Sequence, residues 1–335
     1  MKITVVFDSL HPEWGDEDYR REMEVGEVEE AEYDVARALL KKDHDVRMLG
    51  IRDDIGALVD RLAELKPELV FNCCESFRDG SQHEYAVAAV IEMHGYRHTG
   101  SSPTALLVAR NKSMSKKILA YHGIRVPEFA TFHPGEALLR PSALRYPLIV
   151  KPLLEDASLG IAQASVVADD AALAERVAFI HEKFSQAAIA EELIEGRELY
   201  VGLIGNDPVQ VLPIVELTFG DADGDHRIAT YKAKWDEEYR KRKKIRNTFP
   251  KGLSEDVATR IADTCSTAFH ALWLQDYGRV DLRLAHDEEV YVLEVNPNPF
   301  VARENEMADA AEKAGMSYPD FIERILDEAL ARDPA

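Results

Sequence analysis

The chain has no apolar run near the roughly 18–20 residues that a membrane span needs. Its N-terminus turns acidic after one short apolar stretch, which is wrong for a secretory leader and reads as a first strand. Cysteine is scarce. Cys73, Cys74 and Cys265 are the only three in 335 residues, and they show no paired metal-ligand spacing. Cys73 and Cys74 sit in an apolar run and read as buried thiols, which fits a reducing cytoplasm. Basic charge is also short: 40 Lys and Arg against 61 Asp and Glu leave a formal net charge of −21. Phosphate contact needs basic surface, so a general binder of nucleic acid or of anionic membrane is excluded. No G-x-G-x-x-G turn follows the first strand, which removes a dinucleotide-binding dehydrogenase. What remains is an ordinary 46% of hydrophobic residues, enough for a large core and two or three domains.

KITVVFD (2–8) predicts a buried strand followed by an acidic loop. Residues 29–42 and 54–65 carry helical spacing, and ELVFNCC (68–74) reads as a strand, so the N-terminal part predicts an α/β unit with a parallel sheet. A helix is expected over 84–94, ended by Gly95. Ser102-Pro103 is a cap pair opening one helix over 102–121. The polar stretch 131–142 reads as a junction. Strands are expected at 146–152, 161–167, 187–193, 198–204, 209–217 and 279–296, with helices at 170–184 and 318–331. No internal repeat or low-complexity segment is present.

The most informative stretch is GRVDLRLAHDEEVYVLEVNPNP (278–299). Two alternating runs flank a polar turn, which signals a hairpin. Pairing Ala285 with Val290 also pairs Val280 with Val295, Leu282 with Leu293 and Leu284 with Tyr291, an apolar face. The other face sets Arg279 opposite Asn296 and Asp281 opposite Glu294. Opposed carboxylates repel unless a proton or cation joins them. Oxygen ligands from Asp281, Glu294 and Asn296 suit hard Mg²⁺. The alternative is a solvated face on which Arg279 neutralises the acids.

Lys151 ends the strand LIVKP, whose Leu148, Ile149 and Val150 do not alternate, as in a strand covered on both faces. The small, polar loop 153–160 can lay N–H groups along a phosphate, although it lacks P-loop spacing. A surface hairpin loop is the other reading. Lys112 falls within the 102–121 helix, where a solvated face shared with Lys116 is the ordinary expectation.

Taken in order, these pieces resemble the ATP-grasp superfamily, in its D-alanine–D-alanine ligase branch. VFNCCESF (70–77), YRHTGSSPTALLVARNKSMSKKIL (96–119), YPLIVKPLLEDASLG (146–160), AIAEELIEGRELYVGLIGN (188–206) and the 278–299 hairpin carry the resemblance over nearly the whole chain. It implies an N-terminal α/β domain (1–101), a small central α+β domain (102–193) with a lid at 153–160, and a C-terminal α+β domain (194–335). It further implies an ATP- and Mg²⁺-dependent carboxylate–amine ligase working through an acyl phosphate, with Mn²⁺ as the alternative ion. Lys112 and Lys151 would contact ATP phosphates. Glu191, Glu192, Leu193 and Ile194 would form the adenine hinge, and Glu198 would bind the ribose. Asp281, Glu294 and Asn296 would hold the metal. Arg279, Lys234 and Ser158 would serve the transferring phosphoryl group. The partners implied are a small carboxylate and a small amine, neither nucleic acid nor membrane, and a second copy of the chain as a homodimer.

The acceptor side departs from the family pattern. Phe300 stands where a glycine is usual, and Asn305 falls near an expected serine. Ala157 and Trp235 replace a serine and a tyrosine. The glutamate expected to meet a substrate ammonium has three candidates, Glu27, Glu29 and Glu30. These departures point to an amino acid or small peptide other than a pair of D-alanines. D-Alanine–D-alanine ligase itself, or a non-catalytic ATP-binding regulator, are the alternatives. RKRKKIR (240–246) is a basic run in an acidic chain, either a solvated face or a site that draws in an anionic substrate.

Overall fold

The computed structural model describes residues 1–25, 30–78, 80–220 and 226–332. Of the three candidate glutamates, Glu27 and Glu29 lie outside the described residues. In the first of three sheets, β1 (Lys2–Asp8) runs parallel between β2 (Asp45–Ile51) and β3 (Leu69–Asn72). Ile3, Val5, Val6, Leu69 and Val70 are wholly buried, because helices cover both faces of a parallel sheet. The helix Ala31–Lys41 links β1 to β2 and buries Val35 and Leu39. Two elements of this N-terminal part are absent from the sequence reading, β2 itself and the helix Asp16–Val25, read as an acidic loop, as are the helices Glu255–Ala271 and Glu306–Lys313 further along the chain. The helix Asp16–Val25 commits only Tyr19 and Met23 to the core, too few to show a period.

The second sheet is antiparallel, in the order β4 (Phe129–Phe132), β7 (Ala188–Glu192), β5 (Leu148–Pro152), β6 (Val166–Val167). The helix Asp170–Phe184 packs on it, capped by the Asp169 side chain. The expected junction at 131–142 therefore begins as a strand. The expected strand at 161–167 shrinks to β6, because Ala162 N–H donates to the Ser165 hydroxyl at 3.0 Å and closes a turn.

The third sheet has six strands: β8 (Gly196–Gly205), β9 (Val209–Val211), β10 (Val215–Thr218), β11 (Arg246–Thr248), β12 (Tyr277–Ala285) and β13 (Val290–Asn296). Pro213 separates β9 from β10, which the sequence reading had joined; proline cannot donate to a ladder. The helix Glu255–Ala271 covers the apolar face with Ile261, Cys265 and Phe269. The single helix expected at 102–121 is two, Pro103–Arg110 and Lys112–Tyr121. Asn111 leaves helical geometry with ψ 96° and caps the second helix by accepting from Met114 N–H at 3.0 Å.

The hairpin register agrees with expectation at Arg279–Asn296, Val280–Val295 and Asp281–Glu294. Beyond that it slips by one: Leu282 faces Val292 and Leu284 faces Val290. Leu293 is the extra residue of a β-bulge. A second fixed point lies at the Thr-Gly-Ser turn. Gly100 has φ 88°, and a Cβ there would come within 2.5 Å of Asn298 Oδ1. Ser101 N–H donates to the same oxygen at 2.9 Å, which pins the loop leaving β13.

Candidate active site

One face of the third sheet carries the charged residues. Cross-strand pairing sets Arg283 beside Glu198 and Asp281 beside Tyr200, with Glu294 and Asn296 on the far strand. Two adjoining spaces lie there. A cleft of about 70 Å³ is lined by Lys151, Ser158, Glu191, Glu192, Leu193, Ile194, Glu198, Lys234, Asp281 and Glu294. A cavity of about 1040 Å³ is lined by Tyr200, Lys234, Trp235, Arg240, Arg279, Asn296 and Phe300, among others. Lys234 borders both spaces. Lys112, the remaining candidate, touches Glu294 with its ammonium at 2.8 Å.

Every carboxylate of the cleft floor meets a cation. Arg279 holds Asp281 through two hydrogen bonds, at 2.7 and 3.1 Å. Arg283 holds Glu198 at 2.5 Å, and Tyr200 donates to the other Glu198 oxygen at 3.2 Å. Lys151 donates to Glu191 Oε2 at 2.9 Å, and Lys116 lies 3.4 Å from Oε1. Burial raises Glu294, but Lys112, Lys234 and Lys151 outweigh it and bring its pKa down to about 2. Burial likewise raises Asp281, and there the net shift stays upward despite Arg279. Glu191 is held low, because Lys116 and Lys151 outweigh its burial. Ionised carboxylates offer oxygen ligands to a metal ion, and the lysines that pair with them offer positive charge to a phosphate chain.

The residues fit a nucleotide and a hard cation by their chemistry. Asp281, Glu294 and Asn296 offer only oxygen as cation ligands, the preference of Mg²⁺. Among the described residues no three His, Cys, Asp or Glu side chains gather as a metal cluster, so the third donor would be the Asn296 amide. Residues 191–194, expected as the hinge, line the cleft, although Glu192 and Leu193 give their N–H groups to Glu128 and Pro147 carbonyls at 2.9 and 3.0 Å. The Glu192 side chain turns to Arg145 at 3.1 Å. The loop 153–160 borders the cleft through Ser158. That loop turns through two left-handed residues, Ala157 at φ 52° and Ser158 at φ 60°. Trp235 Nε1 donates to Ala157 O at 2.9 Å, and the Trp235 ring meets Phe300 edge-on at 6.4 Å.

Sequence reasoning missed several members. Lys116, expected on a solvated face, is 1% exposed, and Lys112 is buried too. Arg110 bridges Glu84 and Asp156 of the 153–160 loop, the latter at 3.0 Å. Glu306 lies 3.8 Å from Arg279. The Arg110–Asn111–Lys112 break was the available signal, since an asparagine cap mid-helix turns the next residues inward. The basic run does not face the site as a block. Arg240 lines the cavity and donates to Ala233 O at 2.5 Å. Lys241 pairs with Glu237 on the surface at 2.8 Å, and Arg242 lies over Tyr239.

Residues 118–327 match the family model described as D-ala D-ala ligase C-terminus. The chain belongs to the D-alanine–D-alanine ligase family. It is therefore an ATP-dependent carboxylate–amine ligase. It is 36% identical over 267 residues to the uncharacterized protein y4sG of Sinorhizobium fredii, covering 79% of this chain and 75% of that one. A D-alanine–D-alanine ligase of Sphingopyxis alaskensis is 30% identical over 307 residues, with 88% and 91% covered. A crystal structure of the Bacillus anthracis D-alanine–D-alanine ligase complexed with ATP superposes with a TM-score of 0.75 at 19% identity, over 98% of this chain and 97% of that one. The fold is that of the ATP-grasp ligases. Among the described residues no helix is long and apolar enough to cross a membrane.

Proposed function

We propose that the chain uses ATP and Mg²⁺ to activate the carboxylate of an amino acid or small peptide and joins it to an amine, in the cytoplasm, on substrates other than a pair of D-alanines. The observation that carries this is Lys234, which borders both the cleft and the cavity. The cleft would take the nucleotide and the cavity the two substrates, so the reacting centre falls between Lys234, Arg279 and Asp281. ATP would supply the phosphoryl group, and Mg²⁺ the charge that lets a carboxylate approach it. Lys112 and Lys151 would neutralise phosphate oxygens from opposite sides. Glu191, Glu192, Leu193 and Ile194 would border the base, and Glu198 the ribose. Asp281, Glu294 and Asn296 would hold the metal, releasing Lys112 from Glu294. Arg279 and Lys234 would stabilise charge on the transferring group, and Ser158 would close over it from the lid.

Trp235 and Phe300 favour a substrate other than D-alanine. They wall a cavity of about 1040 Å³, and Phe300 occupies the place where a glycine would let backbone approach the acceptor. The names of the relatives favour D-alanine–D-alanine ligase as the second reading. Domains at 1–101, 102–193 and 194–335, and a homodimer, belong to the same proposal. A phosphate-release screen with ATP, Mg²⁺ and amino acids singly and in pairs tests it. Release only with D-alanine would replace the first reading by the second. No release with any pair would favour a non-catalytic ATP-binding regulator.

A further inference from the structure

Lys116 sits where two parts of the cleft touch. Its ammonium donates to the Leu293 carbonyl at 2.7 Å and lies 3.4 Å from Glu191 Oε1. Leu293 is the bulged residue of β13, next to Glu294. Glu191 is wholly buried on β7, in the segment that lines the other end of the cleft. Its Oε1 makes no hydrogen bond of normal geometry, so the Lys116 ammonium is the charge that faces it. Lys112, one turn earlier on the same helix, reaches the Glu294 side chain at 2.8 Å. One helix thus grips Glu294 by its carboxylate and by the backbone beside it, and from the same turn reaches the hinge.

We propose that Lys116 is a positioning residue that couples base recognition at Glu191 to the placement of the metal carboxylate Glu294. This rests on the reading of the cleft as an ATP site. A buried ammonium cannot leave its acceptors without a large desolvation cost, so it fixes both at once. Glu191 held ionised and in one rotamer accepts from the amino group of adenine and repels the carbonyl oxygen that guanine presents at the same edge. The Leu293 carbonyl, drawn toward Lys116, keeps the bulge that points Glu294 into the cleft. A methionine at 116 fills the space but leaves Glu191 with Lys151 alone and the bulge carbonyl without a donor.

The test is nucleotide binding to the full chain, which needs no knowledge of the substrates. ATP and GTP affinities are measured by calorimetry across a Mg²⁺ titration, for the wild type and Lys116→Met, with thermal melts alongside. The expected result is an ATP dissociation constant raised roughly tenfold, an ATP-over-GTP preference reduced by a similar factor, and a higher Mg²⁺ midpoint. Equal losses for ATP and GTP, or a preference and midpoint unchanged in a folded variant, would overturn the assignment. If Lys116→Met does not fold, Glu191→Gln keeps the Leu293 contact. It must lose the ATP preference while holding the Mg²⁺ midpoint, and an intact preference overturns the role. A wild type that binds neither nucleotide overturns the ATP reading itself, a result distinct from the others.

Discussion

The cleft and the cavity share one face of one sheet and differ in how their charges are settled. In the cleft, Asp281, Glu191, Glu198 and Glu294 each meet a buried cation within 3 Å. In the cavity, Arg37, Arg110 and Arg279 are paired, but Lys41, Arg240 and Arg303 have no carboxylate within ion-pair distance among the described residues, and Trp235 and Phe300 form part of the lining. A network of buried pairs holds one geometry, because losing either partner leaves a charge without solvent. Unpaired cations beside aromatic surface can meet whatever ligand fits. On the proposed reading, the cleft would hold one cofactor and the cavity would choose the substrates.

The largest effect should come from breaking the cleft. Asp281→Asn and Glu294→Gln would each replace a charged oxygen donor of the proposed metal site by a neutral amide and leave Arg279 or Lys112 without its carboxylate. Turnover should fall by about 10³-fold, measured as phosphate release once an active pair is found. Circular-dichroism melts separate this from unfolding. A residual rate within tenfold of wild type would show that these carboxylates do not hold the metal.

The two regions also differ in their response to pH. Burial pushes Glu84, at the cavity, up to about 8 even with Arg110 beside it, while Glu294 in the cleft is brought to about 2. A raised carboxyl binds its proton more tightly in the folded state. Glu84 therefore supports folding below about pH 4.5, and that support is lost as pH rises through about 8. Glu294 has the opposite sign: its contribution is present above about pH 4.5 and is lost only as pH falls toward 2. Denaturant melts from pH 5 to 8 should show stability falling by on the order of a few kcal/mol, and Glu84→Gln should flatten that slope. A slope unchanged in the variant would mean that Arg110 keeps Glu84 ionised throughout.

The same contrast governs what the sequence made legible. Cleft residues stand on regular strands, where a period of two decides which way each points, and so the pairs Arg279–Asn296 and Asp281–Glu294 were readable. The bulge at Leu293 was not, because its carbonyl is met by a lysine on a helix distant in sequence, a contact no strand pattern shows. By helix pattern alone Lys112 and Lys116 read as solvated, because a single helix cannot show that a second body covers its polar face, and only the family resemblance singles out Lys112. The Arg110–Glu84–Asp156 contacts join three segments distant in sequence, and no local spacing announces them. The helix Asp16–Val25 and β2 were missed for a simpler reason. The first is polar nearly all round, and DVRMLGI breaks the alternation that marks a strand.

Phe300→Gly tests whether the cavity lining sets specificity. It removes a ring that meets Trp235 and frees space beside Asn296. The variant should gain D-alanine-dependent phosphate release by roughly tenfold, the scale on which a pocket of changed apolar volume discriminates. No gain, with the native pair still used, would place the choice of acceptor elsewhere, at Asn305 or Arg303.

The smallest effect is the most selective. Arg240 and Lys241 are neighbours in one basic run, yet Arg240 lines the cavity and Lys241 pairs with Glu237 at the surface. If the run served only to raise local potential, reversing either charge should act alike. If the cavity reads an anionic group directly, only Arg240→Glu should matter. It should raise substrate KM by about three- to tenfold, and the difference from wild type should shrink as salt screens it. Lys241→Glu should leave KM within experimental scatter. Equal effects would make the cavity's unpaired cations a diffuse field, and the division between a fixed cleft and a selective cavity would lose its electrostatic half.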